Sequence, residues 1–443
     1  VKKRFPLIVL SLLVFLAVSF AFGIDRFPRP DFDSGYTHPE TSHPGARAFW
    51  LQWVDVAVLL GTLALAALLS LKWRSRRGIF WLVVFAAAYF GFFRGGCICP
   101  IGAIQNVAAA VFQPGVPIAV VTVVFFTVPL LAALFVGRAF CAGVCPLGAL
   151  QDLFIIKPLR LPRALTSVLS FFPYIYLGLA VLFAANGAGF IICRFDPFIS
   201  FFRLNGPAYA VLLGVGFLAL GTVIARPYCR FICPYAVLLK WCSRFSARRV
   251  TVTPAECVDC RLCENACPVD AIRYPQEWGG QTTPFAKKRR QIIIALIITP
   301  LLMAVLGFAG YRLGPYLATV HRDVALERHL PGADKSPERP STWETRAFQE
   351  GRRERADLQR SAAVVVRRFR VGSVVLGIFL ALVFAGRWLV SIRRQPIKGE
   401  GVRGDHVPDD DCLSCGRCFA YCPVDERSGL SWSEVWTNSE NNH

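Results

Sequence analysis

Sixteen cysteines punctuate this 443-residue chain, and their spacing is specific. Two runs stand out. One is CVDCRLCENACP, with Cys257, Cys260, Cys263 and Cys267; the other is CLSCGRCFAYCP, with Cys412, Cys415, Cys418 and Cys422. Each reads C-x2-C-x2-C-x3-C-P, the bacterial spacing for a [4Fe–4S] cluster. Three closely spaced thiolates hold three irons of one cubane, and the Cys before Pro serves the other cluster of the pair. The spacing therefore predicts two ligand sets: Cys257, Cys260 and Cys263 with Cys422, and Cys412, Cys415 and Cys418 with Cys267. Zinc knuckles would favour two separated C-x2-C pairs. Two such runs in one chain predict electron transfer.

Four further segments share a pattern: RGGCICPIGAIQN (94–106), GRAFCAGVCPLGALQD (137–152), FIICRFDPFISFF (190–202) and RPYCRFICPYAVLLK (226–240). Each closes an apolar stretch, sets Cys near Arg, and has a Pro opening an expected amphipathic helix. They read as an internal repeat whose members alternate between the two sides of a membrane. The inside pair supplies Cys141, Cys145, Cys229 and Cys233, all in C-x3-C-P, as a full ligand set for a third cluster. Pro146 and Pro234 fit the first helical turn, where a missing N–H is harmless. The free N–H groups of that turn would face the anionic cluster, and Arg138, Arg226 and Arg230 would offset its charge. Buried cysteines that merely pack are the alternative. The outside pair supplies Cys97, Cys99 and Cys193, one thiol short of a set. A fourth cluster there needs another ligand: Asp196 is nearest, and His38, His43, His321, His329 or a partner residue are others. A disulfide from Cys193 to Cys97 or Cys99, or inert thiols, is the competing reading in an oxidising compartment. Cys242 is left over and reads as structural.

Something must carry these loops, and composition says what. The chain is 54% hydrophobic with a mean hydropathy of +0.47. Apolar runs near the ~20 residues of a membrane span recur near 6–22, 53–72, 79–93, 116–136, 166–190, 207–225, 291–309 and 369–390. The expected architecture is a polytopic α-helical membrane protein of about eight spans, joined to a cytoplasmic two-cluster ferredoxin unit. Lys and Arg crowd the loops around 72–78, 137–165 and 226–290, so both termini are expected in the cytoplasm of a bacterial inner membrane. The expected parts are an N-terminal pair of spans (1–78), the repeated core (79–250), ferredoxin motif 1 (251–290), a second pair of spans with a long outside loop (291–395) and ferredoxin motif 2 (396–443). The two ferredoxin motifs are thus split by two membrane crossings.

The net charge of +20 is explained by positive-inside bias and a face for anionic lipid or an acidic partner, without nucleic acid. All six histidines (38, 43, 321, 329, 406 and 443) lie outside the expected spans, which argues against a transmembrane haem. No C-x-x-C-H, Walker or strand-borne GxGxxG motif occurs. Residues 23–52 read as an irregular loop; SGYT at 34–37 lacks the flanks of a covalent flavin site. Within 313–368, HLPGADKSPERP reads as a linker and TWETRAFQEGRRERADLQR as a charged helix.

The C-x3-C-P segments at Cys141–Pro146 and Cys229–Pro234, followed by ferredoxin motifs, resemble the NapH/NosR-type membrane polyferredoxins. The resemblance covers roughly residues 80–275 and the C-terminal motif. It implies electron passage between membrane quinol or cytoplasmic donors and periplasmic reductases, carried here by the matching cysteines. This chain departs from the pattern in its split ferredoxin motifs and its added Cys97, Cys99 and Cys193, and no N-terminal flavin domain is expected in it. A flavin, if used, would come on another subunit. The expected function is an electron-transfer subunit linking cytoplasmic clusters to a periplasmic flavoprotein or cytochrome, or to quinone. A maturation factor that reduces a metal for a respiratory enzyme and a membrane redox sensor are the alternatives.

Overall fold

The computed structural model describes residues 48–96, 99–156, 158–159, 161–248, 250, 260, 262–272, 285–335, 354–393 and 411–422, and regular structure among them is helical. Apolar composition alone does not fix where helices stop; Pro and Gly do. Helices α1 (Phe49–Lys72) and α2 (Arg76–Phe93) open the described chain. The Ser75 hydroxyl caps α2 by accepting from the Gly78 N–H at 3.2 Å, a favourable N-terminal closure. Next come α3 (Pro100–Phe112), α4 (Val120–Val136), α5 (Ala139–Gly143) and α6 (Pro146–Leu153). Then follow α7 (Ala164–Ala185), α8 (Ile191–Phe195), α9 (Ile199–Arg203), α10 (Ala208–Gly221), α11 (Pro227–Phe231) and α12 (Pro234–Arg244). The last are α13 (Leu262–Ala266), α14 (Phe285–Leu317), α15 (Arg322–Lys335), α16 (Arg355–Arg393) and α17 (Arg417–Ala420).

Among the described residues, five helices are long and apolar enough to cross a membrane: α1, α2, α7, α14 and α16. They match five of the expected spans. The runs expected near 116–136 and 207–225 are shorter helices of 17 and 14 residues, α4 and α10. Helix α4 begins only at Val120 and α10 already ends at Gly221, so each falls short of the ~20 residues of a span. The run at 6–22 lies outside the described residues. Two other expectations change. The segment HLPGADK is not a linker but the end of α15, held because Leu326 and Leu330 pack on Leu358 of α16. The charged helix, described from Arg355, and the span near 369–390 are one 39-residue helix, α16. At 1.5 Å per residue it is roughly 58 Å long, about twice the hydrocarbon thickness.

One core unites α1–α7 with α10–α12 and both ferredoxin segments. Leu59, Val83, Phe90, Phe140, Leu147, Tyr228, Tyr235 and Phe419 all contribute to it. Helix α16 packs on this core through Phe379, Leu380 and Val383, and α14 and α16 form a close pair along glycines. A Cβ on Gly310 would overlap the Ser373 carbonyl, and one on Gly377 the Leu306 carbonyl. Small residues let helix backbones approach in lipid, where no hydrophobic force drives helices together. Gly310→Leu is therefore expected to destabilise the pair by about 1–3 kcal/mol, the usual cost of overpacking. Thermal unfolding in detergent checks this against Gly386→Leu, where the added carbon meets nothing within 4 Å and stability should hold.

Candidate iron–sulfur centres

The two C-x3-C-P segments fold alike. Arg138 precedes α5, Cys141 lies within it, and Cys145 is the N-cap of α6 with Pro146 in the first turn. Arg226 precedes α11, Cys229 lies within it, and Cys233 is the N-cap of α12 with Pro234 in the first turn. The N–H groups of Val144 and Cys145 both donate to the Phe140 carbonyl, at 3.1 and 3.0 Å; those of Ile232 and Cys233 both donate to Tyr228, at 2.9 Å. Proline sets the first-turn φ and removes an N–H that would have no partner. The positive ends of α6 and α12 then begin at the cysteines themselves.

Gln151 joins the two segments. Its carbonyl oxygen accepts from the Tyr228 N–H at 3.1 Å, and its amide nitrogen donates to Cys229 Sγ at 3.2 Å and to the Leu147 carbonyl at 3.0 Å. The neighbouring Asp152 is a buried hub. Its carboxylate meets Arg76 at 2.7 Å, Arg226 at 3.2 Å and Arg417 at 3.4 Å. Despite burial, the guanidinium of Arg226, then those of Arg76 and Arg417, hold its pKa well below the usual carboxylate range. Arg226 is 1% exposed and sits at φ 46°, left-handed backbone that is costly for a side chain of this size. The Asp152 pair and a hydrogen bond from Arg226 to the Cys141 carbonyl hold it there. Arg138 is buried too, with Nη2 4.0 Å from Cys141 Sγ. The third arginine expected near the thiols, Arg230, lines the same cavity as Cys229, pairs with Asp270 at 3.6 Å and covers the Phe231 ring.

Burial raises the thiol pKa values of Cys145, Cys229 and Cys233. It lifts Cys229 to about 11, against the pull of Arg226, and pushes Cys145 and Cys233 well above the ordinary value. Buried thiolates repel one another, so ionising all four together calls for a cationic core, as metal binding supplies. A cavity of about 50 Å³ opens between Cys229 and Arg138 on one side and Val269, Asp411 and Leu413 on the other.

That cavity faces the ferredoxin segments. Helix α13, with Cys263, packs on α17, with Cys418. Cys267 lies within electrostatic reach of Cys412, Cys415 and Cys418. The structure therefore brings together the four cysteines expected to share one cluster, although the chain leaves for α14–α16 between them. For the other set, Cys257 is outside the described residues, while Cys260, Cys263 and Cys422 are within them. Motif 2 is fastened to the core by several contacts. Arg76 donates to the Cys415 carbonyl at 2.9 Å, Arg74 covers the Phe419 ring, and Lys240 pairs with Asp411. Cys141 packs against the Val269–Ala271–Leu413 cluster, so the C-x3-C-P set abuts motif 2.

Cys99 and Cys193 also approach each other from separate segments. Cys99 is the buried N-cap of α3, and Cys193 Sγ lies over Gly102, 3.4 Å from where a Cβ would stand. No disulfide joins them; Cys97 lies outside the described residues. The entry to this loop is braced by Arg94, whose guanidinium meets the buried Asp55 carboxylate at 3.0 Å, and Asp55 also accepts from Tyr89 at 2.8 Å. Cys99 is within electrostatic reach of Cys145 and Cys233, so the two sets expected on opposite sides meet in one core. Of the histidines offered as outside ligands, His321 instead accepts from the Asp323 N–H at the start of α15. Cys242 packs half-buried against the core. Among the described residues, no three His, Cys, Asp or Glu side chains converge tightly enough for a single metal ion. A cubane makes a different demand, because its ligands bind separate irons. Sequence reasoning passed over Gln105, Gln151 and Asp152; the shared CPIGAIQ and CPLGALQ strings were the available signal for the two glutamines.

A 4Fe–4S binding domain family matches this chain twice, at residues 118–161 and 206–253, and a second 4Fe–4S binding domain family matches residues 250–273. The first two matches hold the paired C-x3-C-P segments. An uncharacterised protein of Methanocaldococcus jannaschii is 31% identical over 33% of this chain and 58% of its own length. Protein NirI of Paracoccus denitrificans is 32% identical over 32% of this chain and 23% of its own length. YccM of Escherichia coli, a putative electron transport protein by name, is 29% identical over 31% of this chain and 43% of its own length. The chain spans less than two thirds of each of these relatives. No solved structure matches it.

Proposed function

From its two kinds of 4Fe–4S binding domain match and its similarity to NirI, YccM and the regulatory protein NosR, we propose that this chain relays electrons between cytoplasmic-face [4Fe–4S] clusters and a periplasmic or quinone partner across the inner membrane. Cys257, Cys260, Cys263 and Cys422 hold one ferredoxin cluster, and Cys412, Cys415, Cys418 and Cys267 the other. Cys141, Cys145, Cys229 and Cys233 hold a third. Cys97, Cys99 and Cys193 contribute to a fourth, at the outer end. The observation that carries this reading is the continuity of the cysteine sets: motif 2 abuts Cys141, and Cys145 lies within reach of Cys99. A single hop across about 30 Å of hydrocarbon is inefficient; linked sets divide the distance.

The surrounding residues tune and insulate such a route. Arg138 and Arg226 offset the charge of a reduced cluster, and the Gln151 N–H aimed at Cys229 Sγ favours the more negative state, since hydrogen bonds to sulfur raise cluster potentials. Other subunits of a membrane redox complex would supply and accept the electrons, a periplasmic flavoprotein or cytochrome among them. The test is iron and acid-labile sulfide per chain on anaerobically purified protein. About sixteen irons, falling by about four in a Cys97→Ser, Cys193→Ser double variant, is the expected result. About twelve irons, unchanged in the variant, would confine the clusters to the other sets and leave the crossing to quinone or a partner.

A further inference from the structure

The outer cysteines sit in a frame that repeats the C-x3-C-P set residue by residue. Cys99 and Cys145 are both N-caps followed by Pro in the first turn, of α3 and α6. Three residues on, Gly102 and Gly148 let the partner segment close in: a Cβ on Gly102 would touch Cys193 Sγ at 3.4 Å, and one on Gly148 would stand 3.5 Å from Arg226 Nη1. Six residues on come Gln105 and Gln151. The Gln105 carbonyl oxygen accepts from the Ile192 N–H at 2.9 Å, as Gln151 does from Tyr228 at 3.1 Å. Ile192 precedes Cys193 just as Tyr228 precedes Cys229. Arg and Phe follow each cysteine, and each arginine covers its phenylalanine ring.

The frames differ at one ligand position. In the first, Cys233 stands before Pro234; in the second, one residue shorter, Asp196 stands before Pro197. Their backbones agree, at φ −56°, ψ 114° for Cys233 and φ −70°, ψ 117° for Asp196. Both side chains are buried, and both accept from backbone N–H groups ahead of them: Cys233 from Ala236, and Asp196 Oδ1 from Phe198 at 2.8 Å. An independent observation points to an occupant. The Gln105 amide nitrogen is fully buried and has no hydrogen-bond partner among the described residues. Its counterpart in Gln151 donates to a cysteine sulfur. An orphaned buried N–H is unfavourable, and a sulfide or thiolate beside Cys193 would satisfy it.

We infer that Cys99, Cys193 and Asp196, neighbours in the fold, bind an iron–sulfur cluster in which the Asp196 carboxylate is the iron ligand that replaces Cys233, with Gln105 donating to the cluster's sulfur. This rests on the fourth cluster of the proposed relay and specifies its chemistry. A carboxylate, a weaker electron donor to iron than a thiolate, is expected to raise the potential relative to an all-thiolate set, as His in place of Cys does in Rieske centres. The outer end would then be the more oxidising end, and the one whose unique iron exchanges most readily.

The full-length membrane protein, purified anaerobically, tests this with three variants read by iron content, electron paramagnetic resonance and redox titration. Cys193→Ser reports whether an outer cluster exists: a loss of about four irons is expected, and no loss would remove both the fourth cluster and this inference. Asp196→Asn keeps an oxygen that can accept from Phe198 but ligates iron poorly. It is expected to lose about one iron of the four and to yield a three-iron signal. Asp196→Cys is expected to restore the iron and lower the midpoint potential of the outer cluster. If Cys193→Ser loses iron while Asp196→Asn keeps full iron and an unchanged spectrum, Asp196 is a helix cap only. The inference then falls and the fourth cluster stands.

Discussion

Asp152→Asn is expected to unfasten the ferredoxin segment from the membrane core. The carboxylate is 1% exposed and balances three guanidinium groups from three distant parts of the chain. Arg226, equally buried, would be left charged without a counter-ion. Breaking a buried pair by removing one partner costs about 3–5 kcal/mol; Arg76 and Arg417 are about a fifth exposed and add less. Freed from Asp152, Arg226 also loses what holds its left-handed backbone beside Cys229. The expected readouts are a large fall in thermal stability in detergent and faster proteolysis near Arg417 than in the wild type. Unchanged stability would mean the network is ornamental. The pH dependence has a definite sign. The folded pKa of Asp152 is depressed, so its stabilisation is complete above the ordinary aspartate value near 4. It is lost only as pH falls through the lower folded value.

Cys233→Ser is expected to remove one whole cluster and leave the ferredoxin clusters in place. Serine preserves size and the capping geometry of α12 but is a poor iron ligand. The variant should lose about four irons, and slow or abolish reoxidation of the dithionite-reduced ferredoxin clusters by an external acceptor. Cys242→Ser is the control: Cys242 is half-buried on the same helix and packs against the core, so its loss should leave the iron content unchanged. Equal iron in both variants would refute the third site.

The sequence reading succeeded where a short string dictates local geometry. Proline after cysteine forces a helix to begin there, so the starts of α3, α6 and α12 were readable from Pro100, Pro146 and Pro234. Apolar runs bounded by charge located α1, α2, α7, α14 and α16. It fell short where distant parts of the chain decide. Nothing local says that Asp152 will meet Arg76 and Arg417, or that Arg230 will pair with Asp270. HLPGADK looked like a linker because Pro and Gly punctuate it, yet Leu326 and Leu330 gain a partner in Leu358 that local propensity does not register. The meeting of the inner and outer cysteine sets was hidden for the same reason: hydropathy assigns loops to sides, but not the depth to which they fold back.

The split ferredoxin also imposes an order of events on biosynthesis. Translation proceeds from the N-terminus, and domains form as their residues emerge. Cys267 is made early, but the cysteines it would join in the proposed relay, Cys412, Cys415 and Cys418, follow the glycine-matched pair α14 and α16. The coordination sphere of such a cluster could not close until the helical pair had been inserted and threaded back. Cofactor acquisition would thereby be conditional on correct membrane topology: a chain that stalls or inserts backwards would keep its halves apart and never become a competent conductor.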